Sequence, residues 1–301
     1  MRPFPLGQID EVTWRDRLTH AWRDLKYARD HGVLNVMPPG HYHSPVPSLD
    51  EVPEELFAPR DDMPGIDFQA DAQLKLAATL APYAREIPFR DEAVDGLRYR
   101  LSNPFFYKSD GLVYYCLLRH WKPKRIVEVG SGFSTALALD TADRFSDVSP
   151  TVTAIDPNPE RLRSLVRPGD RLEIVEQRVQ DVDRSVFDQL EAGDILFIDS
   201  SHVTKIGSDV NLLFLEILPR LPSGVRVHVH DMFYPEYPRQ FVHGGMHWNE
   251  AYLVRAMLTK STWLRIVWWN AYLAATRLDE ISELLPGWGN SPSSSLWLEI
   301  V

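Results

Sequence analysis

Two pairs of side chains in this 301-residue chain are of types that move protons: Asp199 with His202, and His230 with Asp231. Each pair follows a short apolar run, Ile195-Leu196-Phe197-Ile198 and Val225-Arg226-Val227-His228-Val229. An unperturbed imidazole titrates at about 6.5, so His202 or His230 can take up a proton near neutral pH. Asp199 is placed to orient His202. His228 lies on the same side of its run as His230 but one pleat deeper, and reads as a buried core histidine. Three further acidic positions accompany apolar runs: Glu128 within Arg125–Val129, Asp156 after Thr151–Ile155, and Gln180-Asp181 after the run that begins at Leu172. One aspartate after a strand is commonly a helix cap. Glu128, Asp156, Asp181, Asp199 and Asp231 in register favour a shared ligand site.

The elements that must position these groups follow from the pattern. Arg125–Val129 runs into Gly130-Ser131-Gly132, and Ser134-Thr135 then opens a stretch of high helix propensity. A strand that turns on glycines into a helix brings backbone N–H groups close to a ligand, a common cradle for a nucleotide or nucleoside. The spacing predicts strands at 125–129, 151–156, 172–179, 194–199, 225–231, 264–269 and 296–300. It predicts helices at 10–31, 68–86, 109–121 and 211–218, and after the glycine turn. The fold class is therefore α/β: a Rossmann-like, doubly wound, mostly parallel seven-stranded sheet with helices on both faces. The acids fall at carboxyl ends of strands, the edge where such sheets bind ligands.

Composition narrows the function classes. Net charge is −10, from 42 acidic and 32 basic residues, which argues against a general nucleic-acid binder. No run of 18 apolar residues occurs, so no membrane span is expected. The single cysteine, Cys116, excludes an intrachain disulfide. It suits a reducing compartment, and Met1–Gln8 lacks an apolar signal core, so a cytoplasmic location is expected.

Glu128-Val129-Gly130-Ser131-Gly132-Phe133-Ser134, followed by Asp156 and Asp199, resembles the class I S-adenosylmethionine-dependent methyltransferases over residues 100–301. Phe197-Ile198-Asp199-Ser200-Ser201-His202 resembles a small-molecule methyltransferase subgroup with such a segment after its fourth strand. Two features separate the chain from nicotinamide-binding proteins. Glu128 stands two residues before the first glycine, and Ser134-Thr135 replaces the third glycine. The resemblance implies S-adenosylmethionine as cofactor. Its methionine part would lie against Gly130, Ser131, Gly132 and Ser134, its ribose on Asp156, and its adenine between Gln180 and Asp181. Tyr107, Glu128 and Asp199 complete the implied cofactor site, and the last two strands are implied to form an antiparallel pair. The implied reaction is methyl transfer to a small-molecule acceptor, at a hydroxyl oxygen, with His202 or His230 as base and Asp199 beside it. Related oxygen-methylating enzymes hold a divalent ion between the acid after the fourth strand and the pair after the fifth, here Asp199, His230 and Asp231. Carboxylates suit magnesium, and the histidine tilts the set toward manganese, iron or zinc.

Residues 1–100 read as a helical and proline-rich N-terminal extension, and 101–301 as the cofactor-binding domain. Asp10 caps the first expected helix, in which Trp14, Leu18, Trp22 and Leu25 recur at helical spacing. That apolar face suits packing on the main domain or a homodimer partner. Gly40-His41-Tyr42-His43-Ser44-Pro45 reads chiefly as a surface loop. The long insert 233–250 suits either a lid over an acceptor pocket or an interface loop. Trp263, Trp268 and Trp269 read as core or interface. Two other functions share the scaffold: a metal-dependent enzyme that does not transfer methyl groups, similar to the cephalosporin hydroxylases, and a non-catalytic cofactor-binding partner module.

Overall fold

Strands β1 (Arg125–Val129), β2 (Thr151–Ile155), β3 (Leu172–Val175), β4 (Ile195–Ile198), β5 (Arg226–Val229), β6 (Leu264–Trp269) and β7 (Leu296–Ile300) form one sheet in the computed structural model. Their order is β3-β2-β1-β4-β5-β7-β6. The pairs β1·β2, β1·β4, β2·β3 and β4·β5 are parallel. β7 runs antiparallel to both β5 and β6. The chain winds from β1 out to β3, returns to β4 and winds the other way. The strand order thus switches direction between β1 and β4, where doubly wound sheets open a crevice at their carboxyl edge.

The structure describes residues 40–48, 50, 52–60, 62–243, 246–288 and 293–301, with scattered positions between 18 and 37. Most of the helix expected at 10–31, with Asp10 and Trp14, lies outside the described residues. The chain divides into two compact units, one of Met1–Ala58 with Pro235–Trp248 and one of Pro59–Tyr234 with Asn249–Val301. In the first, Arg239 pairs with Glu54 at 3.0 Å, and Tyr237 and Phe241 pack edgewise on Trp248. The His41 ring stacks on Tyr42 there, and Tyr42 and His43 meet at a tilt.

The second unit holds the sheet. β4 is buried along its whole length, as a central parallel strand covered on both faces must be. Helix α1 (Ala70–Arg85) belongs to this unit, and the Gln73 amide oxygen accepts a bond from the backbone N–H of Trp269. Helix α2 (Lys108–Trp121) is buried from Ser109 through Leu118, and its Tyr114 packs on Phe197 and Trp297 of the sheet. Helix α3 (Phe133–Arg144) follows the glycine turn. The buried Arg98 guanidinium pairs with Asp140 and Asp143 of α3, both at 2.7 Å, and with Asp170. Helix α4 (Glu250–Leu258) precedes β6. Trp268 and Trp269 are core residues.

Two expected elements differ in detail. The third strand ends at Val175 rather than 179, and Val179–Asp181 is a single 3₁₀ turn. This strand lies at the sheet edge, and Glu176-Gln177-Arg178 has no apolar side chain to continue its pairing. The helix expected at 211–218 starts earlier, at Asp209, because the Ser208 hydroxyl caps it by accepting from the N–H of Asn211. It loosens into a π-turn over Leu213–Ile217 ahead of Pro219, which has no N–H to continue the ladder. Among the described residues no helix is long and apolar enough to cross a membrane.

Candidate active site

The glycine turn is built by its neighbours. Gly130 has φ +82°, and a Cβ there would sit 1.9 Å from the Asp199 carbonyl oxygen. The Gly130 N–H donates to Ile155 O at 3.0 Å, and the Asp199 N–H donates to Val129 O at 2.8 Å. The turn is therefore stitched to the ends of both β2 and β4. Glu128 is fully buried beneath it and accepts bonds from the hydroxyls of Ser134 and Thr135. Thr135 Oγ1 in turn accepts the Gly132 N–H at 3.2 Å. Burial pushes the Glu128 carboxyl up to about 8 against the pull of the two hydroxyls. Glu128 and Ser134 thus brace the turn from the inside.

Asp156, at the end of β2, joins the turn from the outside. Its carboxylate accepts from the Ser131 N–H at 3.1 Å, the Ser131 hydroxyl at 2.7 Å and the Asn158 N–H at 2.8 Å. Arg161 lies over Gly132, where an added Cβ would meet its Cδ at 3.1 Å. The Arg161 guanidinium stacks 3.6 Å from the centre of the Phe105 ring. Gln180 and Asp181 are exposed and engaged elsewhere. Gln180 donates to Gly207 O at 3.1 Å, and Asp181 pairs with Arg178, which holds its carboxyl below the usual range.

A second cluster forms at the ends of β4 and β5. Ligand atoms of Asp199, His202 and Asp231 all lie within 4.8 Å of one another. His202 Nε2 is 3.3 Å from Asp199 and 3.5 Å from Asp231. His202 Nδ1 is 2.8 Å from Glu250 Oε2. Both His202 (φ 59°) and Asp231 (φ 54°) adopt the left-handed backbone region. For residues other than glycine this costs on the order of 1 kcal/mol each, a strain that collects at functional sites. The side chains grade from open to closed: Asp199 is 35% exposed, Asp231 20%, His202 7% and Glu250 1%. Burial opposes charge on His202, but Asp199, Glu250 and Asp231 outweigh it and hold its proton well above the ordinary histidine range.

The sequence grouped His230, not His202, with Asp199 and Asp231. The left-handed turn at His202 brings its ring between the two carboxylates instead. His230 is buried behind them, with Nε2 at 3.8 Å from Asp231 and Nδ1 without a hydrogen-bond partner among the described residues. Burial lowers the proton affinity of His230, and Asp231 and Asp199 raise it above the usual value. His228 is the core histidine expected: its Nε2 pairs with Ser295 at 2.9 Å and its ring stacks 3.8 Å from Phe197. Tyr107 precedes α2, and burial with the nearby charges of Asp231 and Asp110 raises its phenol.

Three contributors escaped the sequence reading. Glu250 looked like the end of the insert. Asp110 looked like a helix-start acid, yet it is fully buried and accepts the N–H of Ser295 at 2.8 Å and the amide of Asn270 at 2.9 Å. Ser294, just ahead of β7, donates its hydroxyl to Asp231 at 3.0 Å. The local signals were a helix-opening acid and small polar residues before a strand. Neither identifies its distant partner.

Residues 127–232 match the family described as a methyltransferase domain. A relative from Archaeoglobus fulgidus, described only as an uncharacterized protein, is 35% identical over 170 residues, which make up 54% of this chain and 77% of the relative. Residues 127–232 are a methyltransferase domain of the S-adenosylmethionine-dependent kind. Among solved structures, this methyltransferase is similar to the SAH-bound Podospora anserina methyltransferase PaMTH1, at 13% identity over 94% of this chain and 96% of that one, with a TM-score of 0.43. It is similar to the O-methyltransferase TomG from Streptomyces achromogenes in complex with SAM, at 17% identity, 81% and 91% coverage and a TM-score of 0.38. A structure described as cmcI-D160 Mg-SAM gives 15% identity, 70% and 82% coverage and a TM-score of 0.41.

The methyltransferase's own residues fit both groups that such chemistry calls on. Asp156 is a half-buried carboxylate with three bonds already accepted. A carboxylate has about four acceptor positions, and the Ser131 hydroxyl can rotate away, so ribose hydroxyls can be received there. Asp199, His202 and Asp231 supply two oxygen donors and one nitrogen donor, a set that suits a divalent cation.

Proposed function

We propose that this methyltransferase transfers the S-adenosylmethionine methyl group to a hydroxyl oxygen of a small-molecule acceptor. In this reading the cofactor lies along Gly130-Ser131-Gly132 and Asp156, and a divalent cation is held by Asp199, His202 and Asp231. The observation that carries it is the convergence of those three ligand atoms within 4.8 Å, on the carboxyl edge shared with the glycine turn.

S-adenosylmethionine supplies an activated methyl carbon, so the protein's task is alignment and removal of the acceptor's proton. A divalent cation at the cluster lowers the pKa of an acceptor hydroxyl. Asp199 and Asp231 place the acceptor oxygen at the end of β4 and β5, next to the turn that holds the cofactor. His202 is committed at both ring nitrogens in this reading, Nδ1 to Glu250 and Nε2, which faces Asp199 and Asp231, to the cation they would share. His230 therefore takes the proton, at the Nε2 that lies 3.8 Å from Asp231. The charge of Asp110 also raises the proton affinity of His230, and Asp110 accepts the N–H groups of Ser294 and Ser295, the first of which donates its hydroxyl to Asp231.

The test is a methyl-transfer screen over small hydroxylated acceptors, with and without chelator, in wild-type protein and Asp231→Asn. The expected result is oxygen methylation that falls about 100-fold on chelation and in the variant. Transfer that survives both unchanged removes the cation from the proposal. Products methylated only at nitrogen remove the hydroxyl acceptor.

A further inference from the structure

We infer that Glu250 is a positioning residue for His202, fixing which ring nitrogen faces the Asp199–Asp231 pair; the inference rests on the cation site proposed above. Glu250 opens α4, far along the chain from His202, yet the two are joined at side chain and main chain. Glu250 Oε2 lies 2.8 Å from His202 Nδ1. The backbone N–H groups of Asn249 and Glu250 both donate to His202 O, at 3.0 and 3.2 Å. The Asn249 side chain closes the clip, accepting the Thr204 N–H at 2.6 Å and donating back to Thr204 O at 3.4 Å.

This clip answers two physical questions. The left-handed backbone of His202 has a conformational cost, and the paired bonds from Asn249 and Glu250 hold it in place. The Glu250 carboxylate is 1% exposed, and its Oε1 has no hydrogen-bond partner among the described residues. A buried carboxylate with one oxygen unsatisfied is expensive for a fold to keep. An acid serving only as a helix-start charge would sit in solvent. Placed on Nδ1, Glu250 keeps the proton on that nitrogen, so that a cation entering between Asp199 and Asp231 would take the place of the Nε2 proton and meet the Nε2 lone pair. That is the carboxylate–histidine arrangement that orients a metal-binding imidazole and raises its basicity.

The experiment is titration of the full-length protein with Mn²⁺, read by the electron paramagnetic resonance signal of free and bound ion. It is run on wild type, Glu250→Gln and Glu250→Ala, with S-adenosylmethionine calorimetry on the same samples. Glu250→Gln keeps an acceptor for Nδ1–H and is expected to weaken Mn²⁺ binding about 10-fold; Glu250→Ala removes it, for about 100-fold. The bound-ion line shape should change in both, while cofactor affinity holds. Wild type that binds Mn²⁺, with Glu250→Gln matching it in affinity and line shape, overturns the role of Glu250 and leaves the cation site standing. Wild type that leaves the free-ion signal unchanged overturns the cation site and this inference together. Should Glu250→Ala fail to fold, Glu250→Gln decides.

Discussion

At the residue scale the environment of each acid sets its work. Glu128 and Asp199 both lie at the carboxyl edge, but Glu128 is sealed under the glycine turn while Asp199 is partly open. Burial raises the Glu128 carboxyl from an ordinary 4.5 to about 8 in the folded protein. The folded state therefore holds this proton more tightly than the unfolded chain. Stability tied to Glu128 is fully present below about 4.5 and is lost as pH rises through about 8. Glu128→Gln, a neutral side chain of the same shape, should flatten that part of the pH dependence. Urea unfolding at about pH 5 and about pH 8.5 checks it: wild type should lose ground to the variant at the higher pH. Parallel behaviour at both values would show that Glu128 ionises freely in the fold. The sequence displayed Glu128 as one more acid at the ligand edge. Its burial depends on Ser134 and Thr135 folding back over it, which strand periodicity does not encode.

At the scale of elements, the turn and the loop before α2 carry the strongest predictions. A Cβ at Gly130 would collide with the Asp199 carbonyl, whereas Gly169 also has a positive φ, +94°, but nothing within 4 Å of an added Cβ. Gly130→Ala should cost on the order of 3 kcal/mol or more, and Gly169→Ala about 1 kcal/mol, in denaturant unfolding. Equal costs would mean that β4 does not press on the turn as described. Arg98→Met would strand the buried carboxylates of Asp140 and Asp170, for a loss of about 3–5 kcal/mol in the same assay. A loss under about 1 kcal/mol would show that water enters and satisfies them. The strands themselves were legible, because alternating apolar runs and glycine or proline breaks mark them directly. The end of β3 was not, since edge pairing stops where a neighbour stops supporting it. Nor was the start of the helix at Asp209, which depends on one serine cap.

At the scale of the whole molecule, the sheet explains why widely separated residues share one edge. Parallel winding brings the ends of β1, β2, β4 and β5 to the same side, so Asp156, Asp199 and Asp231 were legible as a group from strand ends alone, whereas of the same expected group Glu128 is sealed under the turn and Asp181 is paired with Arg178. His202 and Glu250 were not legible as a pair. Their meeting needs a left-handed turn after β4 and the return of the chain through α4, both non-local. The central claim is that S-adenosylmethionine binds at the glycine turn with Asp156. Calorimetric titration of the protein with S-adenosylmethionine and S-adenosylhomocysteine, in wild type and Asp156→Ala, tests it most directly. The account predicts micromolar binding of both ligands to wild type and at least about a 10-fold loss in the variant. Folded wild-type protein that binds neither ligand, with or without Mn²⁺ present, would contradict it.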